Sequence, residues 1–336
     1  MTMHDGIVRQ RDRFKKIIAS KDTSSYKVVY PRQLVVGFPI DEGVIYVQNF
    51  DEPGIMSPAY NVWDVDNSKV NPVYLELALH SPQTMTYYAA QMKGTTARRR
   101  TLSTDKLRDI KISLPPMDKQ VEIVARFKRI KELLRVGDER ISNLDELVKS
   151  RFVEMFGTLE HPRYAIVELQ DICAYIVDCP HETPKYDGIL EYPAIRTSEL
   201  AGTTIDWSSM KYVSEEEYQR RTRRLIPQPG DIVYAREGTY GSAAILPDGY
   251  RFCLGQRTML FRTDASVCLP QYLLFAITSP DVKGQADLLN VGSTVPHVNV
   301  KDAKRFRIPL PSLALQREFA DFAARIDKLR FGRAKC

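Results

Sequence analysis

Ile112-Ser113-Leu114-Pro115-Pro116-Met117-Asp118-Lys119-Gln120-Val121-Glu122 opens a run that continues to Lys149-Ser150-Arg151-Phe152-Val153-Glu154-Met155-Phe156-Gly157. Within it Ile123, Phe127, Ile130, Leu134, Ile141, Leu144, Val148 and Met155 recur at alternating steps of four and three, the seam of a heptad pattern. Gly137 and Arg151 interrupt that seam, so the pattern allows one long helix, a bent helix or two helices. Pro115 and Pro116 bar a helix before them, Asp118 suits the N-cap, and Gly157 suits the stop. A helix over 120–156 would be roughly 55 Å long at 1.5 Å per residue.

The run has a second, shorter copy downstream. Lys111-Ile112-Ser113-Leu114-Pro115 falls on Arg307-Ile308-Pro309-Leu310-Pro311, Gln120 on Gln316, Glu122 on Glu318 and Ile130 on Ile326, all at a shift of 196. Upstream the shift is 198: Pro72-Val73-Tyr74-Leu75 falls on Pro270-Gln271-Tyr272-Leu273, Ser81-Pro82 on Ser279-Pro280, and Gly94-Thr95-Thr96 on Gly292-Ser293-Thr294. Matches in one order along the chain make it two copies of one unit. Residues 164–212 have no counterpart at the N-terminus, and the second helix stops soon after Leu329. The chain therefore reads as a two-unit protein shortened at both ends. The part from about Asp138 to Phe156 is expected to lack a helical mate, leaving Ile141, Leu144 and Val148 to pack elsewhere or stay exposed.

Each unit pairs a β-rich part with a long helix. In the first, 26–30, 34–36, 44–47 and 60–63 read as strands, being β-branched and aromatic between turns, and Pro72 to Ser81 reads as a helix that Thr84 to Met92 could continue. In the second, 164–168, 192–196, 231–235, 242–246 and 259–262 read as strands, and 281–289 and 315–329 as helices. Arg236-Glu237-Gly238-Thr239-Tyr240-Gly241 is a glycine-bounded loop between strands. The fold class is α+β: two mixed β-rich domains separated by long helices that pair as an antiparallel coiled coil. The divisions are 1–108 for the first domain, 109–160 for the helical spacer, 161–305 for the second domain and 306–336 for the C-terminal helical region. Ile123, Phe127, Ile130 and Leu134 are expected to pack against Phe319, Phe322, Ile326 and Leu329.

Composition narrows the function. The 336 residues are 43% hydrophobic and 27% charged, no apolar run reaches membrane-spanning length, and the N-terminus lacks the basic start and apolar core of a signal peptide, so a cytoplasmic protein is expected. The five cysteines show no CxxC spacing, which argues against zinc and suits a reducing compartment. No phosphate loop or dinucleotide fingerprint is present. His161, His181 and His297 lack metal-ligand spacing, and Cys179-Pro180-His181 reads as a rigid turn. Asn71-Pro72-Val73-Tyr74 is close to the Asn-Pro-Pro-Tyr motif of amino-methyltransferases but lacks the second proline; its repeat counterpart, Leu269-Pro270-Gln271-Tyr272, favours a structural role. An enzyme is not indicated.

The net charge of +6 is concentrated. Lys93, Arg98, Arg99, Arg100, Lys106, Arg108 and Lys111 stand against Asp105 and Asp109; Arg220, Arg221, Arg223 and Arg224 stand against Glu217. Such clusters suit phosphate contacts, or are solvated surface runs. Thr95, Thr96, Arg236, Thr239, Tyr240, Ser293 and Thr294, in or beside glycine-bounded loops, are candidates for approaching bases or backbone.

The stretch from Ile112 to Gly157 closely resembles the central region of type I restriction-modification specificity subunits. Pro229-Gly230-Asp231-Ile232-Val233 with Arg236 to Gly241, Asp178 to Pro184, and Gly292-Ser293-Thr294 resemble that family's target recognition domains. The resemblance implies a non-catalytic reader of double-stranded DNA. Each domain would read one half of a bipartite site, and the helices would set the spacing and dock two methyltransferase subunits, with the restriction subunit joining. AdoMet, ATP and Mg²⁺ would belong to those partners, leaving this chain without a cofactor. The shortened ends keep a second expectation open, a truncated specificity cassette that serves only as a protein-interaction scaffold. The bases read are not legible in the residues.

Overall fold

A computed structural model describes residues 1–2, 5–13, 22–91, 100–187, 191–289 and 297–331. The chain divides into two compact units, Met1–Gly137 and Asp138–Cys336. The division falls inside one continuous helix.

In the first unit the elements are α1 (Gln10–Arg13), β1 (Lys27–Val29), β2 (Leu34–Val36), β3 (Ile45–Val47), β4 (Gly54–Met56), β5 (Asn61–Trp63), α2 (Pro72–Leu79), α3 (Pro82–Gln91), α4 (Thr104–Arg108) and the first half of α5 (Met117–Phe156). β2 is the middle strand of an antiparallel sheet, between β3 and β5, and β1 pairs with β4. The inward faces of β2 and β3 supply Leu34, Val36, Ile45 and Val47 to a core closed by Ile40, Leu79, Tyr88 and Leu102. α2 starts where the sequence predicts. Pro72 needs no amide partner at the first helical position, and the Asn71 side chain accepts from the amides of Val73 and Tyr74. The expected continuation is, as far as Gln91, a separate helix, α3, because the chain breaks at His80 and Ser81, where the Ser81 amide turns back to the Ala78 carbonyl; Met92 lies outside the described residues.

The second unit holds the rest of α5, then β6 (Ile166–Glu168), β7 (Cys173–Asp178), β8 (Tyr192–Ile195), β9 (Leu200–Ala201), β10 (Thr204–Ile205), β11 (Lys211–Val213), α6 (Glu215–Arg221), β12 (Ile232–Ala235), β13 (Ala243–Ile245), β14 (Cys253–Leu254), β15 (Thr258–Thr263), α7 (Pro270–Ile277), α8 (Pro280–Leu289), α9 (Val300–Ala303), β16 (Arg307–Pro309) and α10 (Leu313–Phe331). β12 sits between β13 and β15, as β2 sits between β3 and β5. The registers are the same under the repeat: Leu34 pairs with Val47 and Trp63, and Ile232 pairs with Ile245 and Phe261. The segment without an N-terminal counterpart adds β7 to the free edge of β15 and β6 to β16. In the first unit Lys111–Ser113, the counterpart of β16, forms no strand, and among the described residues β5 is an edge.

The repeat is also a repeat of contacts. Near the start of α5, Gln120 is buried; its Oε1 accepts from the Asn71 amide at 2.8 Å, and its Nε2 donates to the carbonyls of Lys69 at 3.1 Å and Pro115 at 2.8 Å. Near the start of α10, buried Gln316 takes the Leu269 amide at 2.8 Å and donates to Val267 and Pro311, each at 2.9 Å. Tyr74 donates its hydroxyl to the Ser113 carbonyl, and Tyr272 donates to that of Pro309. In each unit one amide side chain thus ties the long helix to the loop that starts the shorter one.

α5 is a single helix from Met117, so Asp118 lies in its first turn rather than at its cap, and Gly137 does not break it. Gly157 ends it as predicted, with φ 77° and a space in which a Cβ would meet the His161 carbonyl oxygen at 2.4 Å.

The expected pairing of the helices is corrected. Phe319 and Ile326 are buried, and Phe322 partly so, in one core with Val148, Phe152 and Phe156, the last turns of α5. Phe152 lies edge-on to Phe319 at 5.3 Å, and Phe156 packs on Phe319 and Tyr272 at 5.6 and 5.0 Å. Arg151 pairs with Glu318 at 3.3 Å, and Asp145 pairs with Arg330. Stepping back from 151 to 145 thus steps forward from 318 to 330, an antiparallel packing. The stretch expected to lack a mate is the stretch that has one; Val148 is buried and Leu144 partly so, though Ile141 is exposed. Of the residues assigned to the pairing, Ile123 packs in the first unit beside Val70, Tyr74 and Val124, whereas Phe127, Ile130, Leu134 and Leu329 are exposed. A heptad seam names the apolar face of a helix but not its partner. The aromatic cluster around Tyr272 gathers the last turns instead.

Candidate nucleic-acid interface

The four-stranded sheet of the second unit has one end where several loops meet. β7 ends there at Asp178, β12 ends at Ala235, and β15 begins at Thr258. β8 and β14 run parallel and finish at the same level, where the Gly255 amide donates to the Ile195 carbonyl at 2.7 Å. The rim is therefore made by residues 178–184, 196–199, 236–241 and 255–257. Residues 297 and 298 also stand at this rim: Glu237 and His297 form a β-bridge, and the Val298 amide donates to the Arg236 carbonyl.

Beneath the rim lies a charged scaffold. Arg236, predicted as a DNA contact, is buried, and its Nη1 donates to both oxygens of Asp178 at 2.8 and 2.6 Å. Arg221 is fully internal. Its Nε donates to the Leu254 carbonyl at 2.8 Å, and its other nitrogens reach the carbonyls of Glu182 at 3.2 Å and Pro180 at 3.4 Å. A planar guanidinium with five donors can hold several carbonyls at once, and here it holds the loop after β7 against β14. Arg220 is held by Glu217 and Glu182, and its hydrogen bond keeps the Glu217 carboxyl below the usual range. Arg220, Arg221 and Arg236 are thus internal or paired groups that build the rim. Arg223 and Arg224 are exposed.

Thr239 donates to the Thr197 carbonyl at 3.0 Å, fixing the β12–β13 loop to the turn after β8. Tyr240 donates to Asp287 on α8, a bond that holds the phenol above its usual range. In the first unit Arg100 pairs with Asp41 at 2.7 Å and Glu42 at 2.6 Å, and its carbonyl accepts from the Ile40 amide, so it braces the loop after β2. Lys93, Thr95, Thr96, Arg98, Arg99, Ser293 and Thr294 lie outside the described residues.

Two exposed residues of the rim, His181 and Arg257, were not among the DNA contacts expected from sequence. The His181 side chain is 70% exposed and lies 3.3 Å from Asp178, and that of Arg257 is 62% exposed and lies 3.0 Å from Glu237. The Gln256 side chain donates to the His181 carbonyl at 3.3 Å. Gly255-Gln256-Arg257-Thr258, a glycine just before a strand, was the available signal. Among the described residues no group of three His, Cys, Asp or Glu could hold a metal ion, and no helix is long and apolar enough to cross a membrane.

Comparison with known proteins follows the same two units. A family described as type I restriction modification DNA specificity domain matches residues 22–144 and 164–332. The chain is 24% identical over 298 residues to the type I restriction enzyme MjaVIII specificity subunit of Methanocaldococcus jannaschii, covering 82% of this chain and 68% of that one. It is 22% identical over 276 residues to the putative MjaX specificity subunit of the same organism, covering 79% of this chain and 63% of that one. A solved structure described as bearing on complex assembly and conformational transition of the type I R-M system superposes with a TM-score of 0.58 at 18% identity, covering 93% of this chain and 78% of that one.

Proposed function

Because the chain belongs to the type I restriction-modification DNA specificity family, we propose that it reads a bipartite sequence in double-stranded DNA as the non-catalytic specificity subunit of such a complex. The observation that carries the reading is the doubled unit with unlike rims. The positions of Arg236 and Arg257 are held in the first unit by Phe38 and Ala59 at the same repeat spacing. Two copies of one scaffold with different side chains at corresponding positions suit two different half-sites.

The exposed apolar residues of α5 suit the docking of two methyltransferase subunits, with the restriction subunit joining them; Val121, Phe127, Ile130, Leu133 and Leu134 are each about half exposed or more. AdoMet, ATP and Mg²⁺ chemistry is assigned to those partners and the assembly to the cytoplasm. Mapping methylated adenines in cells that carry this chain with its methyltransferase tests the reading. A split motif with a fixed gap is expected, and an uninterrupted motif or none would overturn it.

A further inference from the structure

Among the described residues, the rim of the second unit carries an exposed cation on a rigid backbone, Arg257. Arg257 has φ 64°, in the left-handed region that a residue with a Cβ adopts only at a cost. The surrounding loop imposes it. A Cβ at Gly255 would stand 2.6 Å from the Ile195 carbonyl oxygen and 2.5 Å from Arg196 Cγ, so the chain passes against β8 with no room to shift. On the other side the Arg236 amide donates to the Arg257 carbonyl at 2.9 Å, and Thr258 is buried. The other arginines at or beneath the rim are buried or half-buried where they pair: Arg236 with Asp178, Arg221 with backbone carbonyls, Arg220 with two carboxylates and Arg196 with Glu199.

The Arg257 guanidinium Nε lies 3.0 Å from the carboxylate of Glu237, which is itself tethered by the backbone bridge to His297. A carboxylate this close repels a phosphate but tolerates the neutral edge of a base. Arginine donates in a fork to O6 and N7 of guanine, and a carboxylate accepts from N4 of cytosine. The geometry points to Arg257 and Glu237 as the pair that reads one G·C base pair in the half-site of the second unit, with Arg257 on guanine and Glu237 on cytosine. This rests on the DNA-reading function proposed above.

The test uses the full chain assembled with its methyltransferase subunits and a randomised duplex library, with sequencing of the bound fraction and binding measured across salt. Wild type is expected to select a split motif; if it selects none, the DNA-reading function falls and this pair falls with it. Given a motif, Arg257→Gly, which fits the left-handed backbone, is expected to relax the preference for one G·C pair by about 10- to 100-fold, leaving the other positions and the salt slope intact. Glu237→Gln is expected to weaken selection at that same pair. Retention of every position by Arg257→Gly would overturn the assignment. So would uniform weakening with a salt slope shallower by about one, the mark of a phosphate contact, or an effect of Glu237→Gln at a different pair. Matched thermal melts of the variants confirm that the compared proteins are folded.

Discussion

Replacing Gln316 with leucine puts an apolar side chain of similar size at a fully buried position and removes three hydrogen bonds, from the Leu269 amide at 2.8 Å and to the carbonyls of Val267 and Pro311, each at 2.9 Å. The cost comes mainly from the partners left behind. A buried donor or acceptor without a partner costs about 1–3 kcal/mol, and carbonyls, having two lone pairs, stand at the low end. The sum is roughly 3–5 kcal/mol, a large share of the ~5–15 kcal/mol of a folded domain. Urea denaturation of wild type and Gln316→Leu measures it, and hydrogen exchange locates it, since the Leu269 amide should lose protection. Gln120→Leu should cost a similar amount in the first unit, where Asn71, Lys69 and Pro115 are the orphaned partners. The two penalties should add in the double variant because the sites share no partner. A loss under about 1 kcal/mol with the Leu269 amide still protected would show that the side-chain bonds do not hold α10 to α7.

Gly137 lies inside α5 with open space where a Cβ would stand, so Gly137→Ala should stabilise the chain by about 0.5–1 kcal/mol, read as a higher midpoint in urea. Phe152 touches Phe156, Tyr272 and Phe319, so Phe152→Ala should cost about 3–5 kcal/mol and expose α10 to proteolysis, whereas truncating exposed Phe127 should leave stability nearly unchanged. Burial pushes the thiols of Cys253 and Cys268 up to about 12. In the unfolded chain they ionise near about 8.5, so stability should fall as pH rises above that value, and both should resist alkylation at about pH 8 until the chain unfolds, as peptide mapping would show.

Much of the architecture was legible because the chain is doubled. Each copy corroborates the other: strands at 34–36 and 232–235 and long helices after Pro115-Pro116 and Pro311 stand in the structure at the repeat spacing, and the helix read at Pro72 has its counterpart at Pro270, which was not read as a helix. β6 and β8, in the segment with no counterpart, were legible as strands from their own residues, whereas β7 in the same segment was missed. The charge runs identified cations but not their partners. Arg220 and Arg221 are adjacent in sequence, yet one is half-exposed between carboxylates and the other is internal, because one turn of α6 sends them in different directions.

The residues of this chain by themselves determined two β-rich units, each tied to a long helix, and a family whose members read DNA. These depend on local propensity, apolar periodicity and internal repetition, all of which are written along the chain. Only the tertiary structure decided which half of α5 finds a partner, which arginines serve as scaffold, and that Arg257 stands open beside Glu237. Those outcomes turn on which distant side chains share a core or reach a carboxylate, and neither spacing nor charge encodes that.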